Sequence, residues 1–186
     1  MGRKRTIDRN VTMEAIEAVV RQHGVAGLSI DAVARQAGIS KSSVVYDFAS
    51  KEQLLAAFIR QRLDQKKADL ASAASRHQGQ PDALMRGMID HCSTRPSDED
   101  IACAMAITAS LGNNSTCREM MGTAFADDLD RIIHEAKDPR RSRLAWAALH
   151  GIMSLEYLGF YAFPPDERRE LLADIASLLS PPSTAT

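Results

Sequence analysis

The sequence predicts an all-α fold in two parts, an N-terminal three-helix helix-turn-helix module followed by a C-terminal helical bundle. Three observations carry this. The strong helix formers Ala, Leu, Arg, Glu and Gln are abundant. No segment shows the sustained apolar/polar alternation, bounded by turn residues, that marks a half-buried strand. The stretch Ala34 to Leu55, ARQAGISKSSVVYDFASKEQLL, reads as a helix end, a tight turn, a short helix and the capped start of a third.

Taken in order, the basic residues of MGRKRTIDRN have no apolar run behind them, which excludes a secretory signal and suggests a flexible basic arm. Thr12 is expected to cap a first helix that places Ile16, Val19 and Val20 on one face and stops at Gly24. Ser29 caps a second, whose Ile30, Val33, Ala34 and Ala37 recur at the spacing of a one-sided helix before Gly38 ends it. Ser40 caps a third so soon afterwards that the two helices must cross sharply, with Ile39 in the corner and Val44 and Phe48 facing the core. The other face of this helix carries Lys41, Ser42, Ser43, Tyr46 and Asp47, polar groups of the kind that read base edges or hold phosphates.

Ser50-Lys51-Glu52-Gln53 fits a capping box that opens a long helix reaching about residue 76, with Lys51 beside free amides in a position to clamp a phosphate. Pro81 is expected at the first position of a helix over 82–94. Pro96 and the acids of Ser97-Asp98-Glu99-Asp100 open another that runs to Gly112. Asn113-Asn114 is a loop, Ser115 or Thr116 begins a helix ending near Lys137, and Pro139 separates it from the next. The apolar run Leu144 to Phe163 is long enough to span a bilayer, but His150 and Glu156 in its middle favour a buried or subunit-interface helix. Pro164-Pro165 ends it, and a last helix runs from Asp166 to about Leu179. The division expected is 1–50 for the arm and helix-turn-helix, 51–180 for an effector-binding and dimerisation domain whose connecting helix covers about 51–76, and 181–186 for a frayed tail.

Charge is divided unevenly. Residues 1–67 hold 12 Lys/Arg and 7 Asp/Glu, or +5, and residues 68–186 hold 11 and 17, or −6. The basic end suits a polyanionic partner. Cys92, Cys103 and Cys117, odd in number and without close pairing, argue against a disulfide framework and for a reducing, cytoplasmic setting.

The Gly24 turn, Leu28-Ser29, Val33-Ala34, Ala37-Gly38-Ile39-Ser40, Val44, Tyr46, Phe48 and Ser50-Lys51-Glu52 before Leu54-Leu55 together resemble the TetR/AcrR-type transcriptional regulators. The match covers about residues 10–58. The resemblance implies a homodimer whose recognition helices enter successive major grooves of a palindromic double-stranded operator. By it, Ser29, Ser40, Ser43, Tyr46 and Lys51 would hold phosphates, while Lys41 and Ser42 would touch bases. It also places a four-helix dimer interface at the last two helices, Arg140 to Phe163 and Asp166 to Leu179. The apolar residues suited to that interface are Ala147, Ala148, Gly151, Leu155, Leu158, Leu171, Leu172, Ile175, Leu178 and Leu179.

Two positions depart from the commoner pattern. Val45 stands where many members carry a phosphate-touching Tyr, although a subgroup with an aliphatic pair resembles this sequence. Asp47 stands where His is frequent, and either accepts from cytosine N4 or forms a helix-surface ion pair, the favoured reading.

In the body, Met85, Met88, Cys92, Met105, Met120, Met121, Phe125, Trp146, His150 and Met153 supply polarizable apolar surface for a small, mainly hydrophobic effector, with His150 and His91 as polar handles. For any single Met, core packing is the simpler role. A rival class is a metal sensor or bundle enzyme using His91, Cys92, Cys103, Cys117, His134 and His150, but no Glu-x-x-His or His-x-x-x-His spacing supports it, and no metal or cofactor is expected. No nucleophile and base share a motif, so no catalytic residue is assigned. A ligand-independent DNA-binding adaptor is the remaining alternative.

Overall fold

In the computed structural model, residues 9–112 and 114–180 are described; residues 1–8 of the expected basic arm, Asn113 and the tail expected at 181–186 lie outside them, while Arg9 and Asn10 of that arm are the first residues of a helix. Among the described residues the chain forms nine helices and no strand, the all-α class that the sequence predicts. They are α1 (Arg9–Gly27), α2 (Ile30–Ala37), α3 (Lys41–Asp47), α4 (Lys51–Ser75), α5 (Ala83–His91), α6 (Asp98–Leu111), α7 (Ser115–Glu135), α8 (Pro139–Tyr157) and α9 (Pro165–Ser177). The chain divides into two compact units, one of residues 1–62 with 102–120 and the other of 63–101 with 121–186.

The first unit is built on α1 to α3 and the start of α4. Ile16, Leu28, Val33, Val44 and Leu54 are completely buried, each contributing roughly 1.5–3 kcal/mol of apolar burial. Thr12 does not cap α1: the helix already runs at Arg9, and Thr12 is buried within it. Gly24 interrupts α1 with φ 65° and ψ 179°, a left-handed excursion that a side chain would oppose. Ser29 and Gly38 bound α2 as expected. The Ser29 hydroxyl accepts from Ala32 N at 3.1 Å, and Gly38 adopts φ 65°, which lets Ile39 N donate back to Ala34 O at 3.0 Å. Ser40 accepts from Ser43 N at 3.2 Å. At the head of α4, Ser50 Oγ accepts from Gln53 N at 3.3 Å while Gln53 Oε1 accepts from Ala49 N at 2.8 Å, a capping box whose return bond reaches the residue before the cap instead of Ser50 N.

The second unit packs the later parts of α4 and α7 with α5, α8 and α9 around Leu70, Leu84, Met85, Met88, Ile132, Leu149, Leu172 and Ile175. Gly87 is required where α5 crosses α4, because a Cβ there would lie 2.5 Å from Ala74 N and 2.7 Å from its Cα.

Several expected boundaries move for identifiable reasons. Pro81 is not the first residue of α5: Asp82 precedes the helix at φ 60°, and its buried carboxylate accepts from the Ser142 hydroxyl at 2.6 Å. Ser97 and Asp100 form an unforeseen reciprocal cap on α6, with Ser97 N donating to Asp100 Oδ2 at 3.1 Å and Asp100 N to Ser97 Oγ at 3.2 Å. The start of α7 does not move: it begins at Ser115 as expected, and Asn114 caps it by accepting from Cys117 N at 3.0 Å. Pro139 starts α8 instead of separating it, since Asp138 accepts from the amides of Arg140 and Arg141.

The run Leu144 to Phe163 is not one helix. It ends at Tyr157, where Gly159 turns to φ 67° and Phe160 N donates to Leu155 O at 2.9 Å. Glu156 is accommodated there by a buried ion pair, Arg168 Nε lying 2.9 Å from Glu156 Oε1. The same guanidinium donates to the carbonyls of Cys92 at 2.7 Å and Ser93 at 2.8 Å, so α5, α8 and α9 meet at one satisfied charge pair. Among the described residues no helix is long and apolar enough to cross a membrane.

Candidate functional site

The exposed face of α3 follows from what its other face must bury. Val44 and Phe48 are 0% and 3% exposed, which turns Lys41, Ser42, Val45 and Tyr46 outward, Tyr46 to 83% exposure. The Arg9 guanidinium sits 5.6 Å from the Phe48 ring centre and braces the end of this helix.

Six of the seven residues expected to meet DNA cluster on α3 or cap α2 and α3. Ser40, Ser42 and Ser43 share hydroxyl contacts, with Ser40 Oγ 2.9 Å from Ser42 Oγ and 2.7 Å from Ser43 Oγ. Ser29 spends one lone pair capping α2 and keeps its O–H. Lys41 pairs with Asp31 at 2.9 Å; both side chains are well exposed, so water screens the pair and opening it costs at most about 1 kcal/mol. Lys51, the seventh, donates to Ala26 O at 3.0 Å, leaving two of its three ammonium hydrogens for another acceptor. Neither Asp31 nor Ala26 is signalled by the sequence, because their lysine partners are 10 and 25 residues away.

Asp47 makes no ion pair among the described residues, and the lysine one turn later, Lys51, is turned to Ala26. Val45 is 43% exposed and presents an aliphatic side chain to solvent beside Tyr46.

In the second unit, three of the residues expected at an effector site form a ring cluster. Trp146 and His150 lie 4.4 Å apart between ring centres, Phe125 meets His150 edge-on at 5.1 Å, and Phe125 meets Trp146 at 6.4 Å. His150 Nδ1–H donates to Trp146 O at 2.9 Å, so the other ring nitrogen is the acceptor in the neutral imidazole. Burial pushes the His150 imidazole below its usual range; the bond to Trp146 O opposes this, Lys66 adds to it and Asp128 opposes it. Lys66 Nζ stands 5.1 Å from the Phe125 ring centre and 3.5 Å from Asp128 Oδ2. These two charged residues are 62 apart in the chain and carry no sequence signal.

The remaining effector candidates divide. Met85 and Met88 are sealed in the core at 0% and 2% exposure, where packing is their role. Met153 and Cys92 pack against that core, and burial pushes the Cys92 thiol up to about 11. Met120 and Met121 on α7 are half-buried. Met105 is exposed on α6 and belongs to the first unit. His91 and His134 are exposed. Among the described residues no three His, Cys, Asp or Glu side chains come together as a metal-binding group.

The dimer-interface candidates separate by face. Leu172, Ile175 and Leu179 point into the unit's own core at 8%, 5% and 5% exposure, which takes them off the open surface. Ala147, Gly151 and Leu155 lie exposed along α8 together with Leu144, which the sequence reading omitted. Ala148, Leu158, Leu171 and Leu178 are half-buried.

Residues 12–58 match the family model described as bacterial regulatory proteins, tetR family, and residues 82–180 match the tetracyclin repressor-like C-terminal domain. No curated protein matches the sequence. Among solved structures, the multidrug binding protein EbrR complexed with malachite green is similar at TM-score 0.71 and 22% identity, covering 94% of this chain and 99% of its own. A transcriptional regulator from Rhodococcus sp. Rha1 is similar at TM-score 0.68 and 21% identity, covering 91% and 94%. A TetR transcription regulator from Haloarcula marismortui ATCC 43049 is similar at TM-score 0.71 and 16% identity, covering 91% and 95%. At these identities the structures speak for the fold, while the two family models together span the helix-turn-helix and most of the body. With the tetR-family helix-turn-helix model over residues 12–58 and the tetracyclin repressor-like C-terminal model over 82–180, the chain belongs to the TetR family of DNA-binding transcriptional regulators.

Proposed function

We propose that this regulator is a cytoplasmic repressor that binds a palindromic operator as a homodimer and is released by a small, mainly hydrophobic effector. The observation that carries the reading is the outward face of α3, where a lysine, a group of hydroxyls and an 83% exposed tyrosine stand on a helix anchored from behind by Val44 and Phe48. Such a surface has little use in packing and has the chemistry of major-groove contact. In this reading Ser29, Ser40, Ser43, Tyr46 and Lys51 hold phosphates while Lys41 and Ser42 reach base edges. Two copies would place these helices about 34 Å apart on successive grooves.

Support for dimerisation is the open small-residue face of α8, on which Ala147 and Gly151 would let a second helix approach closely. Support for an effector is the half-buried ring cluster of Phe125, Trp146 and His150, together with the dye-bound EbrR and a putative regulator from Saccharomonospora viridis in complex with choline, which share this fold. An effector alters operator affinity only by binding two conformations of the protein unequally.

Selection from a random pool of duplex DNA tests the reading. Enrichment of one inverted repeat, located upstream of genes that are induced when this protein is removed, is the expected outcome. Recovery of no enriched sequence would sink it, and diffuse protection in footprinting would favour a ligand-independent adaptor.

A further inference from the structure

The ring cluster of the second unit contains a buried donor with nothing to bind. Trp146 Nε1–H is closed off from solvent and has no hydrogen-bond partner, a state that native interiors rarely leave unresolved. The rings around it, Phe125 and His150, are half-buried and offer apolar faces. The charges beside them are already matched. The electron-rich face of Phe125 has its own cation in Lys66 at 5.1 Å, and Asp128, the carboxylate that acts on His150, lies 3.5 Å from that same ammonium.

An incoming organic cation would meet an aromatic face already engaged and a carboxylate already paired. An incoming acceptor would meet an unsatisfied indole N–H.

We propose that this cluster binds a planar aromatic molecule bearing an acceptor oxygen, a carbonyl or a carboxylate, with Trp146 Nε1–H as the donor and the rings of Phe125 and His150 as the apolar contact, and that, in contrast to EbrR with its cationic dyes, it rejects organic cations. The inference rests on the effector reading above and gives that effector a chemical class. Trp146 supplies orientation through one directed hydrogen bond, and Lys66 supplies discrimination by already occupying the Phe125 face and the Asp128 carboxylate that a cation would need.

The chain has a single tryptophan, so its emission reports on this site directly. The full chain would be titrated by calorimetry and by tryptophan fluorescence with naphthalene, naphthalene-2-carboxamide, 2-naphthoate and proflavin. The two oxygen-bearing probes are expected to bind about tenfold or more tightly than naphthalene and to shift the emission, as one well-made hydrogen bond allows, whereas proflavin gives no heat.

Trp146→Phe keeps an aromatic side chain and removes the donor, so the carboxamide should fall to the level of naphthalene. Lys66→Met should admit proflavin. Equal binding of naphthalene and the carboxamide to the unmodified chain, a comparison that needs no variant to fold, overturns the inference. So does proflavin binding as tightly as the carboxamide, or failure of every oxygen-bearing probe. Operator binding measured on the same samples separates the two readings. Carboxamide binding through Trp146 without any change in operator affinity upholds the chemistry and removes the effector role, whereas intact operator binding with no probe bound removes the chemistry alone.

Discussion

Lys51 and Tyr46 show how a side chain's resting contacts set what its loss should do. Lys51 leans on Ala26 O in the absence of DNA and Tyr46 touches little, so neither contributes much to folding. Lys51→Ala and Tyr46→Ala are therefore expected to leave the urea midpoint nearly unchanged while weakening operator binding. For Lys51→Ala, the slope of log K against log salt should fall by about 1, the signature of one lost phosphate contact. A titration across salt concentrations checks this, and an unchanged slope would take Lys51 off the contact surface.

His150 behaves differently because its surroundings are buried and charged. Burial is the main cause that lowers its pKa from 6.5, Lys66 adding to the effect and Asp128 with Trp146 O opposing it. A depressed folded-state pKa means the unfolded chain binds the proton more readily. The stabilisation is present above pH 6.5 and is lost as pH falls through the folded value. Urea midpoints should thus decline from pH 7.5 toward pH 5 more steeply in the native chain than in His150→Gln.

At the scale of elements, caps are where reading along the chain works best. Ser29, Gly38, Ser40 and Ser50 with Gln53 all perform their expected roles, because a cap is a bond between residues two to four apart. Prolines mislead, since the same residue both closes and opens helices: Pro139 begins α8, and Pro81 is displaced by the left-handed Asp82.

Gly87 illustrates a requirement that no local pattern reveals. In an isolated helix Gly87→Ala would gain about 1 kcal/mol of helix propensity. Here the added Cβ would collide with the backbone of Ala74, which cannot rotate away. The variant is expected to lose about 1–3 kcal/mol of net stability, and a rise in its denaturation midpoint would show that α4 and α5 can separate freely.

For the molecule as a whole, Gly151 gives the cleanest probe of assembly. A Cβ at this exposed helical glycine meets nothing within 4 Å in its own chain, so Gly151→Glu should fold at least as well as the native protein. If the open face of α8 is the dimer contact, the buried charge would convert the dimer to monomer in light scattering and lower operator affinity by tenfold or more, because one reading head replaces two. A Gly151→Glu dimer of native stability would move the interface elsewhere.

Read by itself, the sequence determined the helical class, the helix-turn-helix with its caps, and the face of α3 that is turned outward. These depend on periodicity and on bonds between near neighbours, which residue order specifies directly. Only the tertiary structure decided that Leu172, Ile175 and Leu179 serve the unit's own core, that Glu156 is neutralised by Arg168, and that Lys66 and Asp128 flank the Phe125, Trp146 and His150 rings. Contacts across tens of residues are set by how amphipathic helices settle against one another. An apolar stripe has the same spacing whether it faces its own core, a second subunit or a ligand.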